Sequence, residues 1–360
     1  MNSIISSFLV KRKENERYLV PSSTTIGYIG WLGYHNLGDE AMYSAFKKMF
    51  LEFKVLPFKY NQRIKLYEKV MRKKFFDGVF LGGGTLINGN NYLVRFQLAQ
   101  QKYKHSFVFG SGVRNPEYWS SLKSYKNCLQ EWCTSLEKCE FVGVRGPLSK
   151  RILNDYGFCN SEVIGDPALF LVKDEIKKKK KEKRIGINIG VSDGNVYGGE
   201  KEVLNFIVGF TKTIINEGWK VTFLPAWNKD IKYIKEAARQ INRQVDFFYD
   251  YESPTKVMNF LENCDLFIGE KLHSVILAMC VHTPAIMLGY RPKCLDFMMS
   301  MGLEEFHIRT DKLSIDLIIN LMDKLYKNTE YYQENINLKA TYYKQVQREK
   351  SDIVKKILNR

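Results

Sequence analysis

The chain has 360 residues, 45% of them hydrophobic. That is enough for two globular domains with full cores and too apolar for a disordered chain. The 55 Lys and Arg against 39 Asp and Glu give a net charge of +16, which favours anionic partners: nucleic acid, an acidic membrane face or a phosphorylated substrate. No apolar run approaches the roughly 18 residues of a membrane span, and no helix-turn-helix, zinc-finger or RNA-recognition pattern occurs, so a nucleic-acid partner is not expected.

The N-terminal Met-Asn-Ser-Ile-Ile-Ser-Ser-Phe-Leu-Val has no basic residue before its short apolar stretch and reads poorly as a signal peptide. The 7 cysteines contain no Cys-x-x-Cys pair. Reduced, mostly buried thiols in a cytoplasmic protein are expected, with no structural metal.

Thr25 to Gly30 reads as a strand and Asp39 to Phe50 as a helix. Between them, Gly30-Trp-Leu-Gly-Tyr-His-Asn-Leu-Gly-Asp-Glu40 combines glycines with His35, Asn36, Asp39 and Glu40. Acids at a helix start serve as caps; glycines in the same turn make a ligand site the second reading. Strands follow at Phe53–Pro57 and Gly78–Leu81. The run Leu81-Gly-Gly-Gly-Thr-Leu86 lets backbone approach a ligand through Gly82, Gly83 and Gly84, with Thr85 and Asn88 beside it; a tight packing turn is the alternative. A strand at Ser106–Phe109 leads toward Arg114, a helix is expected over Ser120–Leu136, and a strand at Phe141–Val144 ends at Arg145. An arginine directly after a buried strand either binds an anion or pairs with a carboxylate, here Asp166.

Lys173 to Arg184, with five consecutive lysines at 177–181, divides the chain. The expected organisation is an N-terminal domain over 1–172, a linker over 173–184, a C-terminal domain over 185–312, and helices over 313–360 packing back across the cleft. The lysines read as a solvated linker, or alternatively as a patch touching a membrane. Strands recur at Ile185–Ile189, Lys220–Leu224, Asp246–Phe248, Leu266–Ile268 and Ala285–Leu288. Ser253 and Pro254 mark a helix start. Apolar strands alternating with helices imply α/β architecture: two Rossmann-like domains facing across a cleft, with the active site at the carboxyl ends of the strands. The first strand is not followed by Gly-x-Gly-x-x-Gly, which argues against nicotinamide or flavin; no cofactor is expected.

The most informative stretch is Asp265-Leu-Phe-Ile-Gly-Glu-Lys-Leu-His-Ser274. A strand ends at Gly269 and a helix starts near Leu272, so Glu270, Lys271 and His273 occupy a strand-to-helix turn suited to hold an anion. Downstream, Gly289-Tyr-Arg-Pro-Lys293 adds Tyr290, Arg291 and Lys293.

In this order the motifs resemble those of the polysaccharide pyruvyl transferase family. The resemblance runs from about residue 25 to 305 and rests on Gly-Tyr-His-Asn-Leu-Gly-Asp-Glu at 33–40, Leu-Gly-Gly-Gly-Thr-Leu at 81–86, Val-Arg-Gly-Pro-Leu-Ser at 144–149 with Gly-Asp-Pro-Ala at 165–168, and Lys-Leu-His-Ser at 271–274. The family usually has arginine where Lys271 stands; lysine offers one compact charge rather than a fork. The resemblance implies a GT-B-like fold and transfer of pyruvate from phosphoenolpyruvate to two hydroxyls of a sugar, giving a cyclic ketal and phosphate. It makes Lys271 and His273 donor-site residues, with Arg145 as a second cation. The expected roles are His273 as acid, Asp39 or else His35 as base, and Lys271, Arg145, Arg291 and the N–H groups of Gly82, Gly83 and Gly84 on the donor. Asn36, Glu40, Thr85, Asn88, Arg114, Glu270, Tyr290 and Lys293 are acceptor or cleft candidates. The acceptor implied is a glycan or a polyprenyl-diphosphate-linked saccharide, with peripheral contact at the inner face of an anionic membrane. A nucleotide-sugar glycosyltransferase and a non-catalytic basic adaptor are the alternatives.

Overall fold

A computed structural model describes residues 24–121, 125–178, 181–190, 194 and 196–359. The N-terminal half contains β1 (Thr25–Ile29), α1 (Leu37–Met49), β2 (Lys54–Pro57), α2 (Gln62–Met71), β3 (Gly78–Leu81), β4 (Gly84–Ile87), α3 (Asn90–Lys102), β5 (His105–Val113), α4 (Pro116–Trp119), α5 (Leu129–Leu136), β6 (Phe141–Val144), α6 (Pro147–Asp155) and β7 (Glu162–Val163). The C-terminal half contains β8 (Arg184–Asn188), α7 (Glu200–Asn216), β9 (Lys220–Phe223), α8 (Asp230–Ile241), β10 (Asp246–Phe247), α9 (Pro254–Glu262), β11 (Leu266–Gly269), α10 (Leu272–Met279), β12 (Ala285–Gly289), α11 (Pro292–Met301), β13 (His307–Arg309), α12 (Ile315–Lys327) and α13 (Thr329–Leu358).

Each half forms one wholly parallel sheet. The strand orders are β2-β1-β3-β5-β6-β7, with β4 added against β5, and β10-β9-β8-β11-β12-β13. Parallel strands need both faces covered, and the strands accordingly read Val-Phe-Leu in β3 and Ala-Ile-Met-Leu in β12, all buried. In both sheets the chain winds one way from the first strand and then reverses. The reversal opens a crevice between the ends of β1 and β3 in one sheet and of β8 and β11 in the other. Ligands of open α/β sheets bind at such switch points.

Helix α13 ties the halves together. Its first half packs through Tyr332, Ile336 and Ala340 into the C-terminal core; its far end carries Val354 into the N-terminal core. Midway, Gln347 Nε2 donates to the carbonyls of Ile164 and Asp166, both at 2.9 Å. The Tyr343 ring lies over Gly165, whose φ of +80° and crowding (an added Cβ would sit 2.7 Å from the ring) both require glycine.

Two local expectations change. Of the helix expected over Ser120–Leu136, α5 forms over Leu129–Leu136; residues 125–128 are not helical, and Asn88 Oδ1 accepts the Cys128 N–H at 2.9 Å just before α5 begins, while positions 122–124 lie outside the described residues. The glycine run is also shorter than a simple turn: Gly84 already belongs to β4, paired with Ser111.

Candidate active site

Both switch points open on a single cleft of about 440 Å3 between the sheets. Among the described residues, five cationic side chains line it, Arg114, Arg145, Lys271, Arg291 and Lys293, against one carboxylate, Asp39. Such a surface holds a small polyanion.

The Lys271 turn is built around Asn188, the last residue of β8. Its Oδ1 accepts the Lys271 N–H at 2.8 Å and the Ser274 hydroxyl at 3.2 Å, while its Nδ2 donates to the Leu224 carbonyl at 2.8 Å. One buried amide thereby aligns the ends of β9, β8 and β11. Lys271 is the N-cap of α10, with no side-chain cap bond, and its ammonium lies 3.9 Å from buried Asp230. Glu270 points away from the cleft into the interior, where its Oε2 accepts the Gly190 N–H at 2.9 Å. Burial pushes the Glu270 carboxyl up to about 7, with Lys271 opposing the shift.

His273, in the first turn of α10, reaches across to the N-terminal half. Its Nε2 stands 3.5 Å from Asp166 Oδ2, and its ring lies so close over Gly38 that a Cβ there would fall 2.1 Å from Nδ1. Burial pushes the Asp166 carboxyl up, but His273, Arg145 and the Ala168 N–H outweigh it and hold the group below the usual carboxylate range. An ionised Asp166 therefore faces the imidazole and orients it. Arg145, also almost wholly buried, donates from Nη2 to Thr85 Oγ1 at 3.1 Å. Its other nitrogens face Asp166 at 3.9 Å and Asp296 at 3.8 Å. Arg145 is thus paired with buried carboxylates, as the second of its two readings expected, and it also lines the cleft.

Asp39 follows the Asn36 cap, whose Oδ1 accepts the N–H groups of Gly38 and Asp39 at 3.0 and 3.4 Å. Asn36, not Asp39, is the capping residue, which leaves the Asp39 carboxylate to the cleft. Burial pushes that carboxyl up to about 7; Lys293 opposes the shift, and Glu40 and Asp166 reinforce it. Burial likewise lowers the Lys293 ammonium to about 7, reinforced by the charge of Arg291. Lys271, Arg291 and Lys293 gather on the Tyr290 ring at 4.9 to 5.5 Å from its centre. Arg114 and Arg291 both contact Trp119, at 5.6 and 5.3 Å.

Several candidates lie elsewhere. His35 is on the surface, 69% exposed and 3.6 Å from Glu252. Glu40 stands behind Asp39 and acts on it only through its charge. The N–H groups of Gly82 and Gly83 donate to the Ile29 carbonyl and the Tyr28 hydroxyl, so of the three glycines only Gly84 lines the cleft. Asn88 is buried and bonded to Arg114 O, Tyr125 and Cys128; it supports the loop without reaching a ligand.

The cleft also contains residues that sequence reasoning passed over, chiefly Trp31, Tyr92, Trp119 and Trp227. Trp31 stacks on Tyr34 at 4.9 Å and meets Trp227 edge-on at 5.7 Å. Trp227 Nε1 donates to the Tyr34 carbonyl at 3.1 Å, so this aromatic shelf is made by both domains. Trp31 and Trp227 each follow an apolar strand within a few residues, a position that could have singled them out.

Solved structures share this architecture at low sequence identity. A glycosyltransferase from Rickettsia africae matches with a TM-score of 0.58 and 11% identity, over 94% of this chain and 100% of that one. A putative UDP-N-acetylglucosamine 2-epimerase from Listeria monocytogenes matches with a TM-score of 0.55 and 13% identity, over 88% and 91%. The UDP-GlcNAc 2-epimerase of Neisseria meningitidis matches with a TM-score of 0.53 and 12% identity, over 94% and 100%. These likenesses establish a GT-B-like fold. The family model for polysaccharide pyruvyl transferase matches residues 36–292, from the cap of α1 to the first residue of α11, and so takes in the cleft loops from Asn36 to Pro292. The chain is an enzyme of the polysaccharide pyruvyl transferase family.

Proposed function

We propose that the protein transfers pyruvate from phosphoenolpyruvate to a sugar of a bacterial-type surface glycan, or of its lipid-linked precursor, forming a cyclic ketal and releasing phosphate. The observation that carries this reading is the gathering of Arg114, Arg145, Lys271, Arg291 and Lys293 around one cleft that also holds His273 and Asp39. Phosphoenolpyruvate bears a carboxylate and a phosphate, and both need cations or N–H donors.

The chemistry distributes over these groups. His273, oriented by Asp166, delivers a proton to the methylene carbon of the donor. Asp39 accepts the proton of the attacking hydroxyl as a C–O bond forms at the central carbon. The bond from that carbon to the phosphate oxygen then breaks, and a second hydroxyl closes the ketal. Of the two hydroxyl protons, one balances the proton gained by the methyl group and the other leaves with phosphate. Trp31 and Trp227 offer flat apolar faces to the sugar.

Thermal unfolding tests the donor directly. Phosphoenolpyruvate is expected to raise the melting temperature, as any ligand of the native state must, and a UDP-sugar alone is expected not to. Protection by UDP-sugars without protection by phosphoenolpyruvate would favour a nucleotide-sugar glycosyltransferase instead.

A further inference from the structure

Helix α2 buries none of its residues. It is held to the domain on its inner side: Ile64 packs on the N-terminal core, Glu68 Oε1 accepts the Phe75 N–H at 3.0 Å, and the Tyr67 ring meets the Phe75 ring edge-on at 5.2 Å between centres. With about 3.6 residues per turn, Leu66 and Val70 share a row on the outer face, 51% and 60% exposed, with Met71, 51% exposed, at the end of the helix. Lys65 and Lys69 run along one flank of this ridge, and Arg63, three residues before Leu66 and seven before Val70, stands on the ridge at its N-terminal end. Arg72 ends the helix in a left-handed conformation (φ +51°), and Lys73 and Lys74 follow. From 63 to 74 the chain carries six cations and one acid, Glu68, whose carboxylate is engaged by backbone on the inner side.

An exposed apolar ridge bordered by cations is the pattern of a helix that lies in a membrane interface. A second copy of the chain would bring twelve like charges together across the same ridge, twice the six counted here, and like charges oppose such pairing; the patch calls for an acidic surface. We propose that α2 docks the protein on a bilayer rich in anionic lipid, with Leu66 and Val70 entering the headgroup–acyl boundary and the basic residues meeting the headgroups. This inference is independent of which donor the cleft takes.

Flotation of the full-length protein with vesicles tests it. Binding is expected to vesicles containing phosphatidylglycerol, to be absent with phosphatidylcholine alone, and to weaken as salt is raised. Two double variants, Leu66→Glu with Val70→Glu, and Lys65→Glu with Lys69→Glu, should each lose vesicle affinity by about tenfold or more. Both change exposed positions remote from the cleft, so turnover of a water-soluble acceptor should stay at the parent rate. The proposal is overturned by equal binding to both vesicle types, by no binding to either, or by parent-like binding of both variants. It is equally overturned if the parent is a dimer in solution that Leu66→Glu with Val70→Glu converts to monomer, since the ridge would then be a self-association surface.

Discussion

Asp296 of the C-terminal domain caps a helix of the N-terminal domain through Ser149. Its Oδ2 accepts the Ser149 hydroxyl at 2.6 Å, and its Oδ1 accepts the N–H groups of Leu148 and Ser149 at 2.9 and 3.2 Å. The same carboxylate stands 3.8 Å from Arg145. A cap, an interdomain contact and the support of a cleft cation therefore rest on one side chain. Asp296→Ala is expected to cost about 3 kcal/mol, combining a lost helix cap with a buried arginine deprived of a partner. Denaturant melts measure this, and the variant should also show a raised KM for phosphoenolpyruvate.

Gly38 separates helix preference from function. Alanine at an exposed helix position would stabilise by about 1 kcal/mol, yet here its Cβ would fall 2.1 Å from His273 Nδ1. The imidazole must move, and a misplacement of about 1 Å costs on the order of a hundredfold in rate. Gly38→Ala is expected to keep a cooperative melt while kcat drops by about that factor.

His273→Ala removes the proposed acid. The single-turnover rate should fall by about a hundredfold to ten-thousandfold, with phosphoenolpyruvate binding largely retained because the five cations remain. A near-normal rate would end the acid assignment.

The pH profile carries two signs. A base must be unprotonated, so kcat/KM rises with pH through the Asp39 value of about 7. A donor-binding lysine must be charged, so kcat/KM falls as pH rises through the Lys293 value of about 7. A narrow bell centred near neutrality is expected, since kcat/KM reports the free enzyme. Lys293→Arg keeps its charge throughout and should remove the lysine's share of the falling limb; the rising limb stays, and a fall set by the need for His273 to carry the proton it delivers remains.

Lys271→Ala should raise the KM for phosphoenolpyruvate by at least about tenfold through loss of a charge-assisted contact. Lys271→Arg should restore tight donor binding. Unchanged binding in the alanine variant, measured by calorimetry, would remove Lys271 from the donor site.

The sequence made the strand ends visible because charged residues and glycines placed directly after short apolar runs are conspicuous. Lys271, His273, Arg145 and Asp39 were singled out that way and all four line the cleft, and the alternation of apolar strands with helices anticipated the two parallel sheets. What stayed hidden depends on contacts distant in the chain. Asp296 acts on Ser149, 147 positions away, and no local pattern marks it. Asn88 resembled a cleft residue until its partners at Arg114 and Cys128 were seen to consume its amide. The N–H groups of Gly82 and Gly83 looked available because Tyr28, far upstream, gives no sign in sequence that its hydroxyl takes one of them. The shelf of Trp31 and Trp227 forms only when the two domains meet.

The central claim is tested most directly by mass spectrometry of saccharides after incubation with phosphoenolpyruvate, paired with phosphate release across a small panel of lipid-linked acceptors. The account predicts that one acceptor gains a single pyruvyl unit, with one phosphate released for each unit added and neither event in His273→Ala. Phosphate release with no change in the mass of any acceptor, or sugar transfer from a nucleotide sugar in its place, would contradict it.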